Sequence, residues 1–142
     1  MRTLKLLMRQ NPVNHFINNG SRFNLLSGIA ATIWFMLQNG NPDSFNWYLI
    51  AIPFLIWTLL PFTAVFLMMK KARDVLQTSI TIFIVSAIIS FGGIWILYDA
   101  FVLHLDPQSG LVFLILPVLQ LFLVGIGYAL NTFFEAVLLK RN

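Results

Sequence analysis

Residues 111–139 read LVFLILPVLQLFLVGIGYALNTFFEAVLL, an apolar run with one acid and no base. At about 1.5 Å per residue, a helix of this length crosses a hydrocarbon core about 30 Å thick with some to spare. Inside it, Gln120, Gly127, Asn131 and Glu135 are spaced by seven, four and four residues. At roughly 100° per residue they project from one side of the helix, with Val124 between them. Lipid offers no hydrogen-bond partner, so such a stripe must face protein or water. The remaining helices are therefore expected to cover it.

Composition carries the same message to the whole chain. Of 142 residues, 58% are hydrophobic and 10% charged, and the mean hydropathy is +0.82. A soluble domain of this size carries about a quarter charged residues. Residues 1–142 are expected to form a single integral-membrane helical domain, with no room for a separate soluble one. Cysteine is absent, which removes disulfides, thiol catalysis and thiolate metal sites together.

Working outward from the last span, three further apolar stretches read as membrane helices at about residues 23–38, 45–69 and 75–98. Asn39-Gly40-Asn41-Pro42-Asp43 is a turn by its residue types, and Asp99 to Gly110 reads as a second loop on the same side. Residues 14–21 read as a polar connector. Before it, Arg2, Lys5 and Arg9 share a narrow arc opposite Leu4, Leu7 and Met8. That pattern predicts a short amphipathic interfacial helix over about residues 2–10, ended by Pro12. The expected fold is thus an all-α membrane protein: four transmembrane helices in an up-down-up-down bundle, preceded by this N-terminal helix.

Charge sets the expected orientation. All nine Lys and Arg flank the spans on one side, before the first, between the second and third, and after the fourth. The opposite loops hold Asp43, Asp99 and Asp106. Under the positive-inside rule both termini are cytoplasmic, and the expected location is a bacterial-type inner membrane. Trp34, Trp47, Tyr48, Trp95 and Tyr98 fall toward the outer face, as interfacial aromatics do. The formal net charge of +4 therefore reads as membrane orientation. The bases form no aromatic-interleaved patch that would grip nucleic acid.

Three prolines fall inside predicted spans. Pro53 and Pro61 deprive the carbonyls of Leu49 and Trp57 of their usual donors, and Pro117 is expected to kink the fourth span. In the first span Ser27, Gly28, Ala30 and Ala31 form a small face. Along the third, Ser79, Ser86, Ser90 and Gly93 form a small-residue stripe, the usual mark of a close helix–helix contact. Gly92-Gly93 is a candidate bend.

Catalysis finds no support. No nucleotide loop, histidine box, paired acids or nucleophile with a base converges anywhere, so no enzyme activity, cofactor or metal is expected. Asp99, His104 and Asp106 are three potential ligands at a spacing that matches no metal motif. His15 and His104 fall on opposite sides of the membrane. Two functional classes remain. One is an interaction protein, an accessory subunit, regulator or immunity-type protein that packs against a membrane partner. For it, Ser86, Ser90 and Gly93 permit close approach while Gln120 and Asn131 supply hydrogen bonds. The alternative is a small channel or transporter, as a homo-oligomer, with a polar path along the fourth span. The first is preferred because no acid, base or arginine lies mid-bilayer, where coupled transporters keep one.

Overall fold

A computed structural model of the chain describes residues 12–71, 76–104 and 108–139, with the side chains of Lys71, Glu135, Leu138 and Leu139 excepted. The described residues contain no strand. Four long helices account for nearly all of them: α1 (Pro12–Gln38), α2 (Phe45–Lys71), α3 (Leu76–Leu103) and α4 (Val112–Leu139). A 3-10 turn, Ser109–Leu111, leads into α4. The interfacial helix expected at residues 2–10 lies outside the described residues.

Three stretches are long and apolar enough to cross a membrane: Phe45–Lys70, Leu76–Leu103 and Ser109–Phe134. Their outward surfaces fit an integral membrane protein, being covered by side chains such as Ile50, Ile56, Ile84, Trp95, Leu119 and Phe122. The first helix is not among the three. Asn14, Asn18, Asn19, Ser21, Arg22 and Asn24 dilute its N-terminal half.

The polar connector expected over residues 14–21 is instead helical. α1 runs unbroken from Pro12 to Gln38. Proline is well suited to a first helical turn because the N–H it lacks would have no intrahelical acceptor there. Asn14, Ser21, Asn24, Leu25, Gly28, Thr32 and Met36 are buried, a spacing of mostly three and four that gives one inward face. The small face read from the sequence is thus only partly the packed one: Gly28 is buried, whereas Ala30, well round the helix from it, is exposed.

The third helix is longer than expected and is interrupted by π-turns at Ile88–Gly92 and Asp99–Leu103. Asp99–Leu103 therefore belongs to the helix, not to the loop expected from Asp99 onward. The first π-turn occupies the place where Gly92-Gly93 suggested a bend. α2 continues as helix through Pro53 and Pro61, and α4 through Pro117.

The closest packing is between α1 and α3 and between α2 and α4. Asn24 meets Ser86 and Gly28 meets Ser90, so α1 and α3 run parallel. Val85 lies against Gly127 and Ile89 against Gln120, so α3 and α4 run antiparallel. Two apolar clusters fill the interior. One gathers Leu25, Phe62, Val65, Ile82, Val85, Ile89 and Val124; the other gathers Met36, Ala51, Leu97, Phe113 and Leu116. Near the loop that joins α3 to α4, Phe101 stacks between Phe35 and Phe113 at centroid distances of 6.2 and 5.2 Å.

Candidate functional site

The helices meet along a polar and small-residue seam whose centre is the first π-turn of α3. On the α1 side, Gly28 lets the two backbones approach. A methyl group there would fall 2.5 Å from a ring carbon of Phe62 and 2.8 Å from Ser90 Oγ. Four residues earlier, Asn24 Nδ2 donates to Ser86 Oγ across 3.4 Å, and that hydroxyl donates to the Phe83 carbonyl at 2.8 Å. Four residues later, the Thr32 hydroxyl bonds back to the Gly28 carbonyl at 2.8 Å. Polar groups in an apolar interior are costly unless bonded, and most along this seam find their acceptors in backbone carbonyls.

On the α4 side, Gln120 is buried and its Nε2 donates to the Ile89 carbonyl at 2.8 Å. That carbonyl also accepts the Gly93 amide at the end of the π-turn, so both of its lone pairs are used. Gly93 is what lets the amide in. A Cβ at that position would stand 2.7 Å from Gln120 Nε2. One turn beyond Val124, Gly127 takes Val85 against its backbone, where a Cβ would lie 2.6 Å from a Val85 methyl.

The expected stripe on α4 therefore divides. Gln120, Val124 and Gly127 are buried against α3. Asn131 continues the line but is half-buried and makes no hydrogen bond among the described residues. Glu135 lies in the last turns of the helix; its side chain is outside the described residues. The α3 stripe is brought to the seam whole: Ser79, Ser86, Ser90 and Gly93 are all buried. Ser90 departs from this polar satisfaction within the α3 stripe. Its hydroxyl is fully buried with no partner among the described residues.

A further tie joins α2 to α4 beside Pro117. Pro117 has no N–H and crowds the turn before it. In that turn the Leu114 carbonyl accepts the Trp57 indole N–H from α2 at 3.1 Å. Pro61 and Pro117 are themselves buried, whereas Pro53 is exposed.

Two features escaped the sequence reading. One is the α1 half of the seam, hidden because residues 14–21 read as a connector although Ser21, Asn24, Gly28 and Thr32 already show helical spacing. The other is a second line on α4, Gly125, Ala129, Thr132 and Ala136, spaced by four, three and four. It lies roughly 130° round the helix from the packed stripe and is exposed, with nothing within 4 Å of a Cβ at Gly125.

At the other end of α3, His104 Nδ1 and Asp99 Oδ1 are 3.1 Å apart on the surface. Asp106 is outside the described residues, and among those described no three metal-ligating side chains converge. Comparison with protein-family models, with curated proteins and with solved structures finds no match for this chain.

Proposed function

We propose that this is a four-span, up-down-up-down inner-membrane protein that acts by packing against a membrane partner, in the manner of an accessory subunit, regulator or immunity-type protein. The observation that carries the reading is the division of α4 into two faces. One face is used up internally by Gln120, Val124 and Gly127. The other presents Gly125, Ala129, Thr132 and Ala136 outward, all exposed among the described residues, with nothing within 4 Å of a Cβ at Gly125. Small residues at this spacing let another helix approach closely enough for backbone contacts, which drive association where lipid removes the hydrophobic effect.

Four spans require α1 to cross as well. Its 27 residues extend about 40 Å, and its polar side chains Asn14, Ser21 and Asn24 turn inward rather than toward lipid. Both termini are cytoplasmic on the charge bias of the loops. The aromatic pairs Trp47–Tyr48 and Trp95–Tyr98, with centroids 4.9 and 6.3 Å apart, then mark the outer boundary. A polar path along α4 has less support, since Gln120 is hydrogen-bonded and Gly127 is filled by Val85.

Single cysteines at Gly125, Ala129 and Thr132, introduced into this cysteine-free chain, test the reading by oxidative crosslinking in native membranes. Adducts at these positions, against none at the lipid-facing control Phe122, are expected. Adducts to the same chain would mean a homo-oligomer, and adducts to another protein a heteromeric partner. No adduct at any of the three overturns the docking face.

A further inference from the structure

We infer that the groove between α1 and α2 at the Arg22 end holds one acyl chain of an anionic phospholipid, with Arg22 and Lys70 gripping its phosphate. The groove has a volume of about 350 Å³ and an almost wholly apolar wall formed by Leu26, Ile29, Phe62, Thr63 and Phe66, with Arg22 at its margin. Thr63 adds little polarity, because its hydroxyl is tied to the Leu59 carbonyl at 3.0 Å. Lys70 stands over the ring of Phe66, its Nζ 4.9 Å from the centroid, so a wall residue of the groove also holds the second cation.

The two cations lie at one depth. The contact of Phe62 with Gly28 fixes the register of the antiparallel helices. Arg22 is six residues before Gly28 and Lys70 is eight after Phe62. At about 1.5 Å per residue, both lie roughly 9–12 Å toward the same end. Neither helix contains an Asp or Glu, so no carboxylate within α1 or α2 neutralises the pair.

A groove that is apolar along its length and doubly cationic at one end matches a phospholipid, whose chain lies inward of its charged head. It matches an anionic one because a zwitterionic headgroup brings its own cation to the same place. Between the same two helices near their connecting turn, a second groove is lined by Ile33, Leu37, Trp47, Tyr48 and Leu55 and carries no base. It has the apolar half of the feature without the charge, which makes the Arg22 end distinct. Guanidinium binds phosphate in a two-pronged geometry, and the ammonium adds a point charge.

The inference rests on the membrane placement proposed above, but the two fail separately: placement is read from topology reporters, lipid choice from the purified chain. Thermal stability and lipid retention by native mass spectrometry would be measured in detergent with dioleoyl phosphatidylglycerol or dioleoyl phosphatidylcholine added. Phosphatidylglycerol is expected to be retained and to raise the melting temperature more than phosphatidylcholine. The double variant Arg22→Gln/Lys70→Gln should weaken that binding about 10- to 30-fold, since each base near the surface contributes about a factor of five. Arg22→Lys/Lys70→Arg, which keeps both charges, should largely retain it and guards against a folding defect. Ile29→Trp, which fills the groove with both charges intact, should also weaken it. Equal retention of the two lipids, or no loss in the double variant, overturns the inference. So does full binding in Ile29→Trp, which would reduce the effect to surface charge. Competition by glycerol 3-phosphate as strong as that by the lipid would mean a free-anion site instead.

Discussion

The side-chain amide of Gln120 reaches the carbonyl of Ile89 at 2.8 Å through a space that exists because residue 93 is glycine. One bond thus couples a polar residue of α4 to the π-turn of α3. Such turns add a residue to a helix and are often found where a helix serves a purpose beyond spanning. Here the turn presents a carbonyl that accepts from Gln120 as well as from Gly93, and Gln120 acts as a fastener between helices.

Two adjacent glycines should respond in opposite directions. Gly92 has nothing within 4 Å of a Cβ, whereas Gly93 is pressed by Gln120. Gly92→Ala is expected to stabilise by about 0.5–1 kcal/mol through the lost freedom of the unfolded chain. Gly93→Ala gains the same term but displaces the amide. Its net effect is destabilising, with the lost bond contributing about 0.6–2 kcal/mol. Adding Gln120→Leu to Gly93→Ala should cost little further, because both remove one interaction. Unfolding in a denaturing detergent series reads all three, and stabilisation by Gly93→Ala would refute the coupling.

The serines of α3 give a second pair of opposite signs. Ser86 accepts from Asn24 and donates to Phe83, whereas the Ser90 hydroxyl is buried with no partner among the described residues. Ser86→Ala strands a buried amide and should cost about 1 kcal/mol. Ser90→Ala removes an unsatisfied group and should be neutral or stabilising. Ser90→Leu should be severely disruptive, since Gly28 and Phe62 leave no room. Melting temperatures of the three variants check this ordering.

Much of the fold was legible because lipid exposure writes a strong signal: α2, α3 and α4 are long apolar runs, and the stripe on α4 could be placed on one face from spacing alone. The α1 seam was not, because Asn14, Asn18, Asn19 and Ser21 are as common in loops as in polar-faced helices. Only the burial of Asn14 and Ser21 distinguishes the two. The π-turn was likewise invisible, since Ile88–Gly92 carries no residue pattern that fixes an extra residue per turn. Gln120 could be chosen as a hydrogen-bonding residue, but its acceptor is a backbone carbonyl, and every residue has one.

Reversing Lys70, Lys71 and Arg73 to acids tests orientation. The chain then carries negative charge between its second and third helices, where the positive-inside rule requires bases. Reporter fusions after α2 and at the C-terminus should report altered or mixed topology. An unchanged pattern would mean that charge does not set the orientation of this chain.

Water access separates a packed stripe from a path. Cysteines at Gln120, Val124 and Asn131 would be probed with a small, membrane-impermeant thiol reagent from either side of sealed vesicles. Gly127 is left alone because any Cβ there meets Val85 at 2.6 Å. Gln120 and Val124 are only 4% and 6% exposed, so both should be protected in folded protein and react only after unfolding. Asn131 is half-buried and should react slowly, from one side of the membrane alone. Ready labelling at Gln120 and Val124 would mean that water enters between α3 and α4. The bond from Gln120 to Ile89 would then open in the membrane, and a conducting role would replace the packing role proposed here.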